Sequence, residues 1–206
     1  MKVLLLNGSP HQFGCTYTGL KEISDTLNNE GIETEIVWLT NQAAYGCSGC
    51  GYCRKNGKCI HDDLVNVIND RASEFDGLVI GSAVHYAAAS GTMTSFMDRL
   101  FYSNSKKWRY KPACAIVSCR RSGSTAAFEQ LNKYFTINQM PIVSSTYWNG
   151  IHGYTVEDVL KDEEGLQTMR YLAHNMAWLI KCIDLGKKND INPIKENERF
   201  TTNFIK

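Results

Sequence analysis

Residues 4–16 read LLLNGSPHQFGCT, and three kinds of sequence follow one another there. The apolar run from Val3 to Leu6 predicts a buried strand, and an Asn-Gly pair ends it. A polar loop that includes Gly14 comes next, and a helical pattern starts near Thr16. The first N–H groups of a helix have no partner within the helix and lie at the positive end of its dipole. The stretch therefore predicts a site for an anion such as phosphate.

This loop does not match the best-known phosphate-binding patterns. No Gly-Lys-Ser/Thr follows it, as a Walker loop requires, and Gly8 and Gly14 are too far apart for the dinucleotide fingerprint. By itself, the loop also fits an ordinary strand-to-helix turn. Whether this loop binds an anion therefore depends on which other segments of the chain lie beside it.

The chain beyond this loop alternates between apolar strands and amphipathic helices. Five runs predict strands, at Val3–Leu6, Thr34–Leu39, Gly77–Gly81, Ala113–Ser118 and Pro141–Ser144. Apolar residues at three- and four-residue steps predict the helices between them. This alternation indicates an α/β fold, with a parallel sheet covered by helices on both faces and right-handed crossovers.

The segments between the strands predict where a ligand binds. We expect a loop at Ser82–Ala89, a helix opened by Ser90, and a last helix from Thr155 to Gly186 with Asp158 completing a capping box. In such sheets, ligands bind at the carboxyl ends of the strands where the strand order reverses. The loops after strands one, three and four, at Ser9, Ser82 and Cys119, are therefore predicted to line one crevice.

Composition limits the function classes. The 206 residues carry a formal net charge of +1 with a pI near 7.6, which gives no electrostatic footprint for nucleic acid. No apolar run reaches membrane-spanning length, and the first residues, Met1 to Leu6, are too short for the hydrophobic region of a signal peptide, so we expect a cytoplasmic protein. We predict one domain at residues 1–186, a cysteine-rich loop at 44–61 after strand two, and a polar tail at 187–206.

Four of the eight cysteines are clustered. They follow the pattern Cys-x2-Cys-x2-Cys-x5-Cys at Cys47, Cys50, Cys53 and Cys59. Three closely spaced thiolates and a fourth suit a [4Fe–4S] cluster. Zinc also accepts four thiolates, although structural zinc sites use two separated pairs, and a metal-free loop is a further alternative. Asp62 or Asp63, just beyond, fits a helix cap better than a ligand.

Two motifs resemble the flavodoxin-like NAD(P)H-dependent FMN reductase family, and especially its iron–sulfur flavoprotein branch. The first is Gly8-Ser9-Pro10-His11-Gln12-Phe13-Gly14-Cys15-Thr16, where the family has Gly-Ser-Pro-Arg-x-x-Gly-Asn-Thr. The second is Gly81 to Tyr86 followed by Ser90-Gly91-Thr92-Met93-Thr94-Ser95-Phe96-Met97-Asp98-Arg99, where the family has Ser-Gly-x-x-Lys-x-Phe-x-Asp-Arg. The resemblance covers roughly residues 1–185. It implies a flavodoxin-like, doubly wound, five-stranded parallel sheet with helices on both faces.

The resemblance also implies which residues bind FMN. Those expected at its phosphate are Ser9, His11, Gly14, Cys15 and Thr16. Those expected along the isoalloxazine are Ser82, Ala83, Val84, His85 and Tyr86, with Arg121, Ser122, Gly123 and Ser124 at its other edge. The chain departs from the family at His11, Cys15 and Thr94, which replace arginine, asparagine and lysine. These departures predict a modest affinity for FMN.

The function implied by the resemblance is an FMN-dependent oxidoreductase. It would take hydride from NAD(P)H and pass electrons to a quinone, a free flavin, a nitro or azo compound, or a redox protein. The flavin carries the chemistry, so we assign binding residues and no catalytic side chain. A homodimer or homotetramer is expected by the same resemblance. Two alternatives stay open, a non-enzymatic flavin or iron–sulfur electron carrier and a zinc-stabilised interaction module.

Overall fold

The computed structural model describes residues 1–40, 45–194, 200–202 and 204, and the chain folds around a mostly parallel sheet. The strands are β1 (Lys2–Asn7), β2 (Glu33–Trp38), β3 (Gly77–His85), β4 (Ala88–Ala89), β5 (Ala113–Cys119) and β6 (Gly150–His152). Five of them form parallel pairs in the order β2-β1-β3-β5-β6, and β4 pairs antiparallel with the end of β3. The predicted fold class is confirmed, and the strand order reverses between β1 and β3.

The described chain contains seven α-helices. They are α1 (Cys15–Asn29), α2 (Tyr52–Asn56), α3 (Leu64–Asp70), α4 (Gly91–Asn104), α5 (Ser124–Ile137), α6 (Val156–Val159) and α7 (Glu163–Lys188). Leu4 and Leu6 of β1 belong to the core layer of α3, α4 and α5. Val3 and Leu5 belong to the layer of α1 and α7. Because both faces of β1 are buried, its stretch Val3–Leu6 is continuously apolar rather than alternating.

The prediction of a fifth strand at Pro141–Ser144 is wrong. Pro141–Ser144 makes only one isolated bridge, between Ile142 and Ala113, at the start of β5. The fifth parallel strand is β6, which pairs with Val117–Cys119 at the end of β5. The three residues of β6 are too few to show the alternation of apolar and polar residues that marks a strand, and only Ile151 among them is buried. The sequence therefore gives little indication of this strand.

Three further expectations need correction. The segment 82–89 is not a loop, because β3 continues to His85 and turns back into β4. The predicted last helix is two helices: Thr155 and Asp158 do form a capping box, but it opens α6, and Asp162 then caps α7. The cysteine-rich loop contains the short helix α2.

The domain boundaries remain a prediction. Helix α7 ends at Lys188, close to the predicted boundary at residue 186. Residue 44 of the predicted cysteine-rich loop, and residues 195–199, 203 and 205–206 of the predicted tail, lie outside the described residues. Within the described ranges, no helix is both long and apolar enough to cross a membrane.

Candidate functional site

The loop after β1 is held in a fixed arch by its own hydrogen bonds. The backbone N–H of Ser9 donates to Asn7 Oδ1 at 3.0 Å, and that of His11 donates to Ser9 Oγ at 3.2 Å. Asn7 Nδ2 donates to the carbonyl of Gln12 at 3.0 Å, and Trp38 Nε1 to the carbonyl of Ser9 at 2.8 Å. The sequence thus shapes this loop before any ligand binds.

The arch leads into a helix N-terminus that suits an anion. Gly14 is the N-cap of α1, no described side chain caps it, and the first turn holds no acidic residue. A Cβ at Gly14 would lie 2.9 Å from His11 Cβ, so the arch needs glycine there. The first N–H groups of the helix are therefore available to a phosphate.

Two of the predicted phosphate ligands direct their side chains into the protein. Thr16 is buried, and its Oγ1 lies 2.7 Å from Ser118 Oγ. Cys15 Sγ lies 3.9 Å from the carbonyl oxygen of Gly153. Burial, with smaller contributions from nearby carboxylates, raises the pKa of the Cys15 thiol. Their backbone N–H groups lie in the first turn of α1, whereas their side chains contact other parts of the fold.

The loop after β1 contacts β3 and the start of α4. The N–H of Gly8 donates to the carbonyl of Gly81 at 2.8 Å. Ser90, which caps α4, donates from Oγ to the carbonyl of Gly8 at 2.6 Å, and its N–H donates to Ser82 Oγ at 2.9 Å. A Cβ at Gly8 would lie 2.8 Å from Met93, so only glycine allows this approach. Ser90 thus connects the loop after β1, strand β3 and helix α4 through its hydrogen bonds.

The turn between β3 and β4 is strained and exposed. His85 pairs with Ala88, so Tyr86 and Ala87 form a two-residue hairpin turn. Both have left-handed φ angles, 52° and 57°, where such turns favour Asn-Gly. Tyr86 is fully exposed. Residues held in this region are destabilised by roughly 1–3 kcal/mol each, and such strain clusters at ligand-binding sites.

The loop after β5 packs against this turn. Gly123, with a φ of 88°, is the N-cap of α5, and a Cβ there would lie 2.9 Å from Ala87 Cα. Arg121 before it is exposed, and α5 begins at Ser124 without a side-chain cap from any described residue. The three predicted ligand-binding segments therefore converge on the carboxyl edge of the sheet.

A cavity of about 410 Å³ adjoins this loop on the side of β6. Ser124 belongs both to the predicted flavin-binding segment and to the cavity wall. Tyr147 and Trp148, whose ring centroids are 5.2 Å apart, form its exposed aromatic side. The remaining lining residues are Val117, Thr125, Phe128, Asn149, Gly150, His152, Asp162, Glu164, Gly165 and Thr168. The cavity has the size and mixed lining of a small-molecule site.

The four clustered cysteines line a second, smaller cavity of about 60 Å³. Cys47 and Cys50 are exposed, Cys53 and Cys59 are half-buried, and all four are free thiols. No three His, Cys, Asp or Glu side chains among the described residues are arranged to hold a metal ion as they stand. The donor set nevertheless fits an iron–sulfur centre, because four thiolates share one concave site.

The segment carrying these cysteines has room to rearrange around a metal. Gly49 and Gly51 have left-handed φ angles of 68° and 72°. A Cβ on either glycine would meet no described atom within 4 Å. Small shifts of this exposed backbone therefore need not disturb the core.

A buried cation lies behind the cysteine cavity. Arg99 of α4 is 1% exposed, donates from Nη1 and Nη2 to Asp63 at 2.8 Å each, and donates from Nε to Cys59 Sγ at 3.3 Å. Burial disfavours its charge, but the hydrogen bonds to Asp63 and Cys59 outweigh this and raise its pKa. Asp63 also accepts from the N–H of Val65, so the predicted helix cap is confirmed. Sequence reasoning missed the contact between Arg99 and Cys59.

Comparison with known proteins supplies the family. The model of the NADPH-dependent FMN reductase family matches residues 1–154. An iron–sulfur flavoprotein of Methanocaldococcus jannaschii is 30% identical over 191 residues, covering 89% of this chain and 99% of its own length. A second iron–sulfur flavoprotein of that organism is 28% identical, covering 88% of this chain and 98% of itself.

Solved structures show the same fold at lower identity. RosB with a bound 8-demethyl-8-formylriboflavin-5′-phosphate intermediate has a TM-score of 0.69 at 13% identity, covering 100% of this chain and 94% of that one. A flavodoxin from the domain Archaea has a TM-score of 0.60 at 16% identity, covering 88% and 99%. The fold is therefore flavodoxin-like.

Proposed function

The chain belongs to the NADPH-dependent FMN reductase family of flavin-dependent oxidoreductases, and we propose that it uses NAD(P)H to reduce a small-molecule or protein acceptor. Bound FMN would supply the chemistry, accepting a hydride and passing the electrons on. The observation that carries the proposal is the convergence of three loops at the point where the strand order reverses. The acceptor classes are a quinone, a free flavin, a nitro or azo compound, or a redox protein.

The chain's own residues bind and orient the cofactor in this proposal. The N–H groups that begin α1, with Ser9, Gly14 and exposed His11, face the phosphate. The strained turn at Tyr86 and the segment 121–124 face two edges of the ring. Hydride transfer to the flavin needs position rather than acid–base catalysis, and water would supply the protons that a quinone or nitro acceptor takes up, so we assign no side chain to proton transfer.

We place the small-molecule acceptor in the 410 Å³ cavity beside Ser124. Its aromatic wall of Tyr147 and Trp148 suits a flat ring, since offset stacking adds roughly 0.5–1.5 kcal/mol beyond area burial. The shared residue Ser124 puts this cavity next to the proposed ring edge. Bound FMN and a bound acceptor would then lie on either side of one short segment.

We further propose that Cys47, Cys50, Cys53 and Cys59 hold a [4Fe–4S] cluster. Two observations support this: the four thiols line one cavity, and the curated relatives are named iron–sulfur flavoproteins. Such a centre would supply single-electron transfer to a protein partner. The test has two competing outcomes: zinc bound by the same four cysteines, or no bound metal.

One set of measurements on anaerobically purified protein tests these proposals. We expect flavin absorbance after FMN is added, about four iron and four sulfide per chain, and steady NAD(P)H oxidation with a quinone or nitro compound. Flavin binding without NAD(P)H oxidation for any acceptor class would favour the non-enzymatic electron carrier. One zinc per chain with no flavin binding would favour the interaction module and overturn the proposal.

We also propose a homodimer or homotetramer. The experiment is light scattering after size exclusion, with and without FMN. A monomer under both conditions would refute this proposal and leave the flavin proposal standing.

A further inference from the structure

We infer that Arg99 is a positioning residue that raises the reduction potential of the iron–sulfur centre, by donating a hydrogen bond from Nε to the sulfur of Cys59. The inference rests on the proposed cluster, and it assigns to α4 a role beyond packing. Hydrogen bonds to ligand sulfur withdraw electron density and favour the reduced state of the centre.

The geometry isolates this hydrogen bond from the ion pair beside it. Asp63 takes both Nη groups of Arg99 at 2.8 Å, which compensates the charge and fixes the plane of the guanidinium. The Nε–H lies on the other edge of that plane and points to Cys59 Sγ at 3.3 Å. The side chain is 1% exposed, so water does not compete for the donor. Cys59 therefore experiences a fixed N–H dipole rather than an unpaired positive charge.

Arg99 also holds both ends of the cysteine segment. Its Nη1 lies 3.3 Å from the carbonyl oxygen of Tyr45, before the first cysteine. Its Nη2 lies 3.4 Å from the carbonyl oxygen of His61, after the last. One buried side chain thus ties both ends of the segment to α4, so the Nε–H keeps its position relative to Cys59.

The competing explanation is a purely structural ion pair. Arg71 provides the matched control, because its Nη groups contact Glu35 at 2.7–2.8 Å and its Nε contacts Glu74 rather than a sulfur. A structural role alone predicts that replacing either arginine lowers stability and leaves the potential unchanged. A role for the Nε donor predicts a shifted potential for Arg99 variants only.

The test is a redox titration of the holoprotein followed by electron paramagnetic resonance, for wild type, Arg99→Lys, Arg99→Gln and Arg71→Lys. We expect both Arg99 variants to lower the equilibrium constant for cluster reduction at least tenfold, about 59 mV for one electron. Arg71→Lys should match wild type. Unchanged potentials in both Arg99 variants overturn the inference. A shift in Arg99→Gln but not in Arg99→Lys also overturns it, because lysine keeps the charge and loses the planar donor.

A measurement on wild-type protein covers the case in which the variants do not fold. Protein labelled with 15N-arginine should show a nitrogen coupled to the reduced cluster in pulsed electron paramagnetic resonance. Absence of that coupling in a cluster-containing sample overturns the inference and leaves the proposed function intact. Wild type that binds no iron after anaerobic reconstitution overturns both the inference and the proposed cluster and leaves the flavin proposal standing, so the failures are distinguishable.

Discussion

Gly14 is the residue on which the proposed phosphate-binding arch depends most directly. A side chain there would meet His11 Cβ at 2.9 Å and displace the arch from the start of α1. We expect Gly14→Val to weaken FMN binding at least tenfold, about 1.4 kcal/mol, by titration calorimetry. Gly186→Ala, whose Cβ would meet Ile191 no closer than 3.7 Å, is the control and should bind like wild type. Equal affinities in both variants would place the phosphate elsewhere.

Glu35 links stability to pH through a cluster on β2. Hydrogen bonds from Arg71, with a further contribution from Lys2, lower its pKa to about 2 from the ordinary 4.5. A lowered pKa contributes stability above about pH 4.5, and this contribution is lost as the pH falls towards 2. Because Glu35 is partly exposed, we discount the effect to about 1–2 kcal/mol.

Urea unfolding at pH 7 and pH 3 tests this contribution of Glu35 to stability. We expect the free energy of unfolding to fall more between the two pH values in wild type than in Glu35→Gln. Glu33→Gln, an exposed neighbour on β2, should behave like wild type. An identical pH response in Glu35→Gln and wild type would show that the cluster does not stabilise the fold.

Residues differ in how far the sequence reveals them. The motif at 8–16 predicts an anion-binding arch because glycine positions and a helix start are local features. Arg99 carries a weaker signal, a charge within the buried stripe of Phe96, Met97 and Leu100. That signal predicts a buried partner without saying which one. Its neighbours Asp63 and Cys59 come from distant positions, so only the fold shows the contact.

The β3–β4 hairpin stores strain in two non-glycine residues. Ala87 has a φ of 57°, and its backbone touches Gly123. We expect Ala87→Gly to raise stability by about 0.5–1 kcal/mol, a few degrees in melting temperature, because glycine adopts this conformation without steric penalty. Ala89→Gly, at a buried strand position nearby, should lower it. A lowered melting temperature in both would mean that the turn is not strained.

The aromatic edge of the 410 Å³ cavity belongs to the segment before β6. We expect Trp148→Ala to raise the KM for a quinone or nitro acceptor about tenfold and to leave FMN affinity unchanged, since Trp148 lies outside the three segments that we propose bind FMN. Trp178→Ala removes another exposed tryptophan, on α7, and is the control. If both variants keep the wild-type KM, the acceptor does not use this cavity.

Elements buried on two faces were the most predictable from sequence. The runs Val3–Leu6 in β1 and Ala113–Val117 in β5 are apolar because helices cover both sides, and the pattern extends over four and five residues. The edge strand β6 is too short to show a period, and the apolar run Pro141–Ser144 imitates a strand without forming one. Composition predicts burial, whereas pairing depends on where the chain returns to the sheet edge.

The two proposed cofactor sites lie at two points along helix α4. Ser90 at the start of α4 contacts Gly8 and Ser82 in the proposed flavin site, and Arg99, nine residues later, contacts the cysteine segment. Nine residues at 1.5 Å each give about 14 Å between these points. The hydrogen-bond partners of Arg99 are Tyr45, Cys59, His61 and Asp63, and none of them belongs to the loops of the proposed flavin site, so the two proposed sites use separate residues.

This separation predicts that removing the metal leaves flavin binding intact. We expect Cys50→Ser to lose most of its iron, because a serine hydroxyl is a poor substitute for a thiolate, and to keep its FMN dissociation constant within twofold of wild type. Cys182→Ser, an exposed cysteine on α7, should keep both cofactors. Iron analysis and FMN titration on the same samples give the result. A tenfold loss of FMN affinity in Cys50→Ser alone would show that the two sites are coupled through α4, since that helix contacts both of them.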